Sequence, residues 1–426
     1  MDERRRHLSS SLGEALDASR VVVLHGPRQS GKSTLARRVA AERGGAYVTL
    51  DDDDVLAVAL DDPHAFLRAF RPPMVIDEVQ RAGDRLVRAL KIAVDDGTNA
   101  TGRFLLTGSS NFLTVPTISE SLAGRAVILT LWPFSQAELR ESAEQCPHNV
   151  VEQWFEDDVA PRRAASSGTS RTDYLAMTCV GGFPEVQRLS AAGRQRWFSA
   201  YAETVVSRDI AQLGDIRRAA LLPLVLRLAA AQTSGELNVS RWADQLGADR
   251  GTVQSYLGWL RTVFLVHELP SWRRNRTARV VRRPKLHIAD SGLAAGLLGL
   301  TEDAVASLNH PMTGPLLETF AVNEIIRLCA ASEMPVSLHH YRDSSQHEVD
   351  LVIERSDGAV VAVEIKATSS PRADDLRNLT RFRDQLDAVE PGSLRAGVLL
   401  HTGANTLPQG DRLLSASLDT LWNPPR

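Results

Sequence analysis

Residues 21–44 read VVVLHGPRQSGKSTLARRVAAERG, and this stretch decides the fold. Val21-Val22-Val23-Leu24-His25 is a short apolar, β-branched run, the composition of a strand buried in a parallel sheet. It feeds GPRQSGKST (26–34), and a helical segment closed by glycine follows. Strand, glycine loop and helix form the context that the pattern G-x-x-x-x-G-K-S requires. Gly26 and Gly31 let the backbone curl, so the loop from Gly26 through Pro27, Arg28, Gln29, Ser30 and Gly31 to Lys32, Ser33 and Thr34 is expected to cradle phosphates at a helix N-terminus. Lys32 would reach the β- and γ-phosphates, with Ser33 a ligand of Mg²⁺. The plainer alternative is a glycine turn before a helix.

Two further strands support the nucleotide reading. Met74-Val75-Ile76 ends in Asp77-Glu78, where Asp77 would hold Mg²⁺ and Glu78 would orient or deprotonate the attacking water. Arg103-Phe104-Leu105-Leu106 ends in Thr107-Gly108-Ser109-Ser110-Asn111. Polar side chains there, Ser109 among them, sit where a γ-phosphate would lie, since ligands bind beyond the carboxyl ends of parallel strands. An ordinary polar loop would read the same way. Arg125 is either an arginine finger serving an adjacent subunit or a surface charge.

GPRQSGKST, VIDEVQR (75–81), FLLTGSSN (104–111) and ESLAGRA (120–126) with LTLWPFSQAEL (129–139) together resemble the AAA-type ATPase domain of a large prokaryotic family. Its members join that domain to a C-terminal domain of unknown function. GGFPEV (181–186), VSRDI (206–210), PKLHIADSGLAAGLLG (284–299) and GPLLETFAVNEI (314–325) extend the resemblance over nearly the whole chain. It implies ATP and Mg²⁺ as ligands. It says little about the chemistry of the later segments.

The chain has 426 residues, 43% hydrophobic and 24% charged, with a formal net charge of −3, as expected of an ordinary folded protein of several domains. No apolar run follows the basic N-terminus, so no secretory signal is expected. The longest apolar stretch, residues 219–231, is too short to span a bilayer and contains Arg227. Cys146, Cys179 and Cys329 have neither disulfide-framework nor metal-ligand spacing. A cytoplasmic protein is the natural expectation. Only four lysines occur (Lys32, Lys91, Lys285 and Lys366) against 45 arginines. Where arginine supplies most positive charge, a surviving lysine hints at a need for a compact ammonium.

Residues 141–173 lose periodicity and read as a linker or variable insertion between an ATPase domain (1–140) and a helical domain (174–285). A helix is expected over about 194–228. In GELNVSRWADQLGADRGTVQSYLGWLRTVFLVHELPSW (235–272), a helix over 240–246 turns at Gly247 into a second over 249–261, and a strand at 264–266 follows. That is the shape of a helix-turn-helix with a wing, with Arg250, Thr252, Gln254 and Ser255 placed to reach a groove of double-stranded DNA. RRNRTARVVRRPK (273–285) then carries seven basic residues and no acid. It suits nucleic-acid phosphates, a solvated hairpin, or docking against acids of the same chain.

The last domain (286–426) contains HEVDLVIERSDGAVVAVEIKA (347–367). A three-residue turn, Ser356-Asp357-Gly358, suits a hairpin with a left-handed glycine. It would pair Leu351 with Val363, Ile353 with Val361, Asp350 with Glu364 and Glu348 with Lys366. One face would be apolar and buried, and the other would gather carboxylates and an ammonium. D-x₁₃-E-x-K resembles nucleases of restriction-enzyme type. That resemblance implies Asp350 and Glu364 as ligands of a second Mg²⁺ or Mn²⁺, Lys366 as the residue activating water, and Glu318 as a third acid. The alternative is a solvated outer face.

The expected architecture is α/β: an N-terminal P-loop AAA-type ATPase domain, a central helical and winged-helix segment, and a C-terminal restriction-endonuclease-like α/β domain. The expected function is Mg-dependent ATP hydrolysis, acting on or regulated by DNA. The alternatives are an ATP-driven switch, or a protein-remodelling ATPase with an inactive nuclease-like fold, acting as a homo-oligomer or on a protein partner.

Overall fold

The computed structural model describes residues 4–96, 100–109, 122, 124–140, 149–156, 165–210, 219–275, 279, 282–307 and 310–424. Ser110 and Asn111 therefore lie outside the described residues. The chain divides into two compact units, residues 1–134 with 262–264, and residues 135–261 with 265–426.

In the first unit, strands β1 (Val21–His25), β2 (Ala46–Thr49), β3 (Met74–Asp77), β4 (Phe104–Gly108) and β5 (Ala126–Thr130) form a sheet in the order β2-β3-β4-β1-β5. All its pairings are parallel. Every residue of β1 is buried because apolar layers cover both faces of the sheet. Val21 and Val23 join Met74, Ile76, Phe104 and Leu106 on one side. Val22 and Leu24 join Leu35, Val75 and Leu105 on the other. The helix Lys32–Glu42 buries Leu35, Ala36, Val39 and Ala40, one stripe at helical spacing. Each fully buried leucine or valine contributes about 1.5–3 kcal/mol. The strands carrying the glycine loop (β1) and Asp77 (β3) are both neighbours of β4, so the three expected motifs meet at the carboxyl ends of adjacent central strands.

In the second unit, β6 (Ala165–Ser166), β10 (Val336–Arg342), β11 (Glu348–Arg355), β12 (Val360–Lys366), β13 (Leu394–His401), β14 (Asn405–Pro408) and β15 (Leu413–Ser417) form a mixed sheet ordered β10-β11-β12-β13-β15-β14-β6. A smaller sheet, β7-β9-β8, joins β7 (Gly235–Glu236), β8 (Val266–Leu269) and β9 (Lys285–Ile288). The helix Thr313–Ala331 precedes the antiparallel run β10-β11-β12, and the helix Arg377–Asp387 connects β12 to its parallel neighbour β13.

Several expectations need correction. No boundary falls between residues 285 and 286, because β9 runs across it and both sides belong to one unit. The stretch 141–173 is not wholly a linker. Within it the helix Val150–Phe155 buries Val150, Val151, Trp154 and Phe155, and β6 pairs with β14. These elements are too short for periodicity to reveal. In the helical segment expected over 194–228, the described residues form the helix Ala191–Thr204, a wide turn over Val205–Asp209 and the helix Leu222–Ala231.

The hairpin register is the expected one, with Leu351 opposite Val363 and Ile353 opposite Val361. Gly358 adopts φ +89° at the turn, where its N–H donates to Arg355 O at 3.0 Å. Its faces are not divided into apolar and charged. Val352, Val360 and Ala362 lie under Leu379, Phe382 and Leu386 of the helix Arg377–Asp387. Both faces are thus covered, and buried charge is left at the end away from the turn and at Glu354 beside it.

Candidate functional site

The loop after β1 has a phosphate-binding form. Gly26 (φ +145°) approaches Leu131 so closely that a Cβ would lie 2.3 Å from Leu131 O, and Gly31 adopts φ +96° just before the helix. Gln29 is also left-handed, at φ +61°. Lys32 is buried and curls over the loop, donating to Pro27 O at 2.7 Å and Gly26 O at 3.0 Å. Ser33 Oγ donates to Asp77 Oδ1 at 3.1 Å, so the hydroxyl and carboxylate expected to flank Mg²⁺ already touch. Two hard oxygen donors beside a phosphate loop fit that ion.

Asp77 is fixed by two residues that the motifs leave without a role. Tyr47 OH donates to Asp77 Oδ2 at 2.5 Å, and the Thr107 hydroxyl donates to Oδ1. Burial and the Asp77 carboxylate push the Tyr47 phenol up to about 12, so it remains a donor. Glu78 takes a left-handed backbone (φ +56°), and its carboxylate accepts from the Gln80 amide and, at 3.4 Å, from Ser109 Oγ. Burial raises its pKa above the ordinary carboxyl range, with the Lys32 ammonium opposing. Arg6 is a further member that the motifs do not reveal. Its guanidinium donates to Ser30 O at 2.7 Å and Trp132 O at 2.6 Å, and stands over the Phe134 ring at 4.6 Å. It braces the outside of the loop, and no local pattern in RRRH marks it. Arg125 pairs with Asp95 at the surface, at 2.7 Å and 2.9 Å.

A second cluster stands at the open end of the hairpin. The regular ladder stops at Leu351–Val363, and Asp350 Oδ2 accepts the Ile365 N–H at 2.9 Å. Lys366 Nζ donates to Glu364 Oε1 at 2.7 Å, while Glu364 Oε2 is buried without a hydrogen-bond partner. The unexpected member is Lys285, the first residue of β9. Its ammonium lies 2.5 Å from Glu318 Oε1, 2.7 Å from Glu348 Oε1 and 3.0 Å from Asp350 Oδ1. Among the described residues, no group of three or more His, Cys, Asp or Glu is arranged to hold a metal ion. The expected trio of Glu318, Asp350 and Glu364 is therefore not brought together as a ligand set. A lysine from another strand stands between Glu318 and Asp350. The scarcity of lysine was a usable signal for Lys285, but its basic neighbours disguised it.

Burial pulls the Lys285 ammonium down, yet Asp350, Glu318 and Glu348 outweigh burial and hold it well above the usual lysine range. Three acids exceed one ammonium. Burial and Asp350 accordingly push Glu318 up to about 8, and the same two causes push Glu364 up to about 8 against the pull of Lys366. A carboxyl raised on folding binds more protons in the native state, so its contribution to stability is complete below about pH 4.5 and is lost as pH rises through about 8. The second unit is expected to unfold at lower urea at about pH 8.5 than at about pH 6, with Glu318→Gln/Glu364→Gln flattening that dependence. An unchanged slope in the double variant would remove these groups as its cause.

In the basic strip, Arg279 forms a two-pronged pair with Glu354 at 2.5 and 3.1 Å, and Arg274 reaches Glu390 at 3.0 Å. With Lys285, three of the strip's described basic residues are engaged by acids of the same chain. The two helices before it span Val239–Leu246 and Arg250–Thr262, turning at left-handed Gly247. Val253, Leu257 and Leu260 are buried, and Arg250, Gln254 and Ser255 are exposed. Thr252 is partly withdrawn, its hydroxyl donating to the capping Asp249 at 2.5 Å. The strand expected at 264–266 lies over Val266–Leu269.

Residues 18–140 match the AAA domain family, and with the loop geometry above they define a P-loop ATPase domain of the AAA type. Residues 171–304 match a domain of unknown function (DUF8612), and residues 313–420 another (DUF4143). The chain is 29% identical over 418 residues to Uncharacterized protein Rv2008c of Mycobacterium tuberculosis, covering 98% of this chain and 84% of that one. Uncharacterized protein Mb2031c of Mycobacterium bovis matches to the same extent. Among solved structures, the Thermotoga maritima RuvB Holliday junction branch migration motor is 19% identical with a TM-score of 0.29, covering 62% of this chain and 89% of RuvB. The Aeropyrum pernix Orc1 protein in complex with DNA is 16% identical with a TM-score of 0.26, covering 68% of this chain and 91% of that protein. Such low overlaps add nothing to the sheet order and the family match. No described helix is long and apolar enough to cross a membrane.

Proposed function

We propose that the protein is a Mg-dependent ATPase whose turnover is coupled to double-stranded DNA through the helix pair at 239–262 and its following sheet, read as a winged helix. The observation that carries this reading is the second helix. It buries Val253, Leu257 and Leu260 and leaves Arg250, Gln254 and Ser255 exposed at its N-terminal turns, the part that enters a groove in such modules. At the ATP site, Lys32 exchanges its loop carbonyls for phosphate oxygens. Ser33 and Asp77 would hold Mg²⁺, which supplies neutralisation of the phosphate charge. Glu78 orients the attacking water and takes its proton, and Ser109 helps keep the carboxylate in place. Arg125 acts as a finger only if a neighbouring subunit draws it from Asp95.

The test is ATP turnover with increasing duplex DNA at several salt concentrations. Stimulation is expected at low salt, fading as salt rises with a log–log slope of about 0.9 per phosphate neutralised. Turnover indifferent to DNA at every salt concentration would sink the coupling and favour a protein partner.

For the C-terminal domain, D-x₁₃-E-x-K supports a nuclease-type fold. In the first reading it cuts DNA with a second Mg²⁺ or Mn²⁺ near Asp350 and Glu364. In the second, the protein is an ATP-driven switch with a silent nuclease-type cluster, and the Lys285 contacts favour it. Cleavage of plasmid DNA that disappears in Asp350→Ala selects the first.

A further inference from the structure

We propose that Lys285 is the resident cation of the carboxylate cluster, and that its ammonium and a divalent ion compete for Asp350. Four acids, Glu318, Glu348, Asp350 and Glu364, come from the helix Thr313–Ala331 and the two strands of the hairpin. Lys285 comes from β9, a strand of the smaller sheet. Its side chain is only 2% exposed and touches three of the four acids within 3.0 Å. Lys366 serves the fourth, at 2.7 Å.

The cluster would read as a plain buried ion-pair network but for two features. Glu364 Oε2 is buried and unpartnered, an acceptor that a network built for stability alone would have satisfied. The ladder ends at Leu351–Val363, and Asp350 Oδ2 accepts the N–H of Ile365, the residue after Glu364, so the two acids belong to the same end of the hairpin. Asp350 Oδ2 is taken by the Ile365 N–H, which leaves Oδ1 as the atom a cation would share with Glu364, and Oδ1 is the atom Lys285 contacts. An ammonium and a divalent ion cannot occupy the same carboxylate oxygen at close range, since their like charges repel in a buried site. Glu348 is partly exposed, so the cluster has a side open to solvent through which an ion can enter.

The inference rests on the nuclease-type reading only for the kind of ion. Binding is measured without DNA, so a chain that never cuts leaves it standing. The experiment is Mn²⁺ binding to the full chain without nucleotide, read by electron paramagnetic resonance, for wild type, Asp350→Asn, Lys285→Met and Lys285→Met/Asp350→Asn. The N-terminal loop is common to all four, so only a site that appears or vanishes counts. Wild type and Asp350→Asn should bind Mn²⁺ alike, Lys285→Met should gain one site, and the double variant should lose it. Mn²⁺ should also raise the melting temperature of Lys285→Met and not that of wild type. Should Lys285→Met fold only when Mn²⁺ is present, that rescue supports the exchange. A wild-type Mn²⁺ site that Asp350→Asn removes would overturn it, as would a Lys285→Met chain that neither binds Mn²⁺ nor is rescued by it.

Discussion

Glu78→Gln is expected to bind ATP normally and to hydrolyse it about 10²–10⁴-fold more slowly, the usual contribution of a positioned general base. The substitution keeps the size and shape of the side chain, so the Ser109 hydroxyl retains an oxygen to donate to, and the left-handed backbone at residue 78 is undisturbed. What is lost is the capacity to take a proton from water. ATP binding and phosphate release, measured on the same preparation, separate the two effects. Wild-type turnover in the variant would remove Glu78 from the mechanism. Burial also raises the Glu78 carboxyl, so wild-type turnover should fall on the acid side sooner than an ordinary carboxylate would dictate.

Lys32→Ala acts one step earlier. Its ammonium rests on two carbonyls of the loop, Gly26 O and Pro27 O, from which phosphate oxygens would draw it. Removing a buried charge partner of a phosphate costs about 2–5 kcal/mol, so ATP affinity should drop by roughly thirtyfold to several thousandfold. Arg6 braces the loop independently through Ser30 O and Trp132 O, and the variant should therefore melt near wild type. Calorimetric titration with ATP tests the affinity, and an unchanged affinity would contradict the assignment of Lys32.

The phosphate-loop geometry was legible because its motifs are local. A strand of β-branched residues, two glycines at fixed spacing and an acid pair after a second strand each impose their geometry within a few residues. Tyr47 and Thr107 escaped because their contacts with Asp77 depend on which strands become neighbours, and Arg6 because it acts across more than a hundred residues to reach Trp132. The hairpin register was legible for the same local reason, being set by turn length and alternation. Its surroundings were not. Alternation says which residues share a face but not that the helix Arg377–Asp387 covers the face expected to be charged. Nor can it say that a lysine 65 residues before Asp350 will stand among the carboxylates. The basic strip misled in the same way, since composition counts charges without showing that Arg279 and Lys285 are directed inward at Glu354 and Asp350.

Phosphate release from saturating Mg-ATP by wild type, beside Glu78→Gln and Lys32→Ala, tests the central claim most directly. The expected result is steady turnover in wild type, ATP bound but scarcely hydrolysed in Glu78→Gln, and strongly weakened binding with scarcely any turnover in Lys32→Ala. Equal phosphate release in all three, or none in wild type with duplex DNA present or absent, would contradict the account.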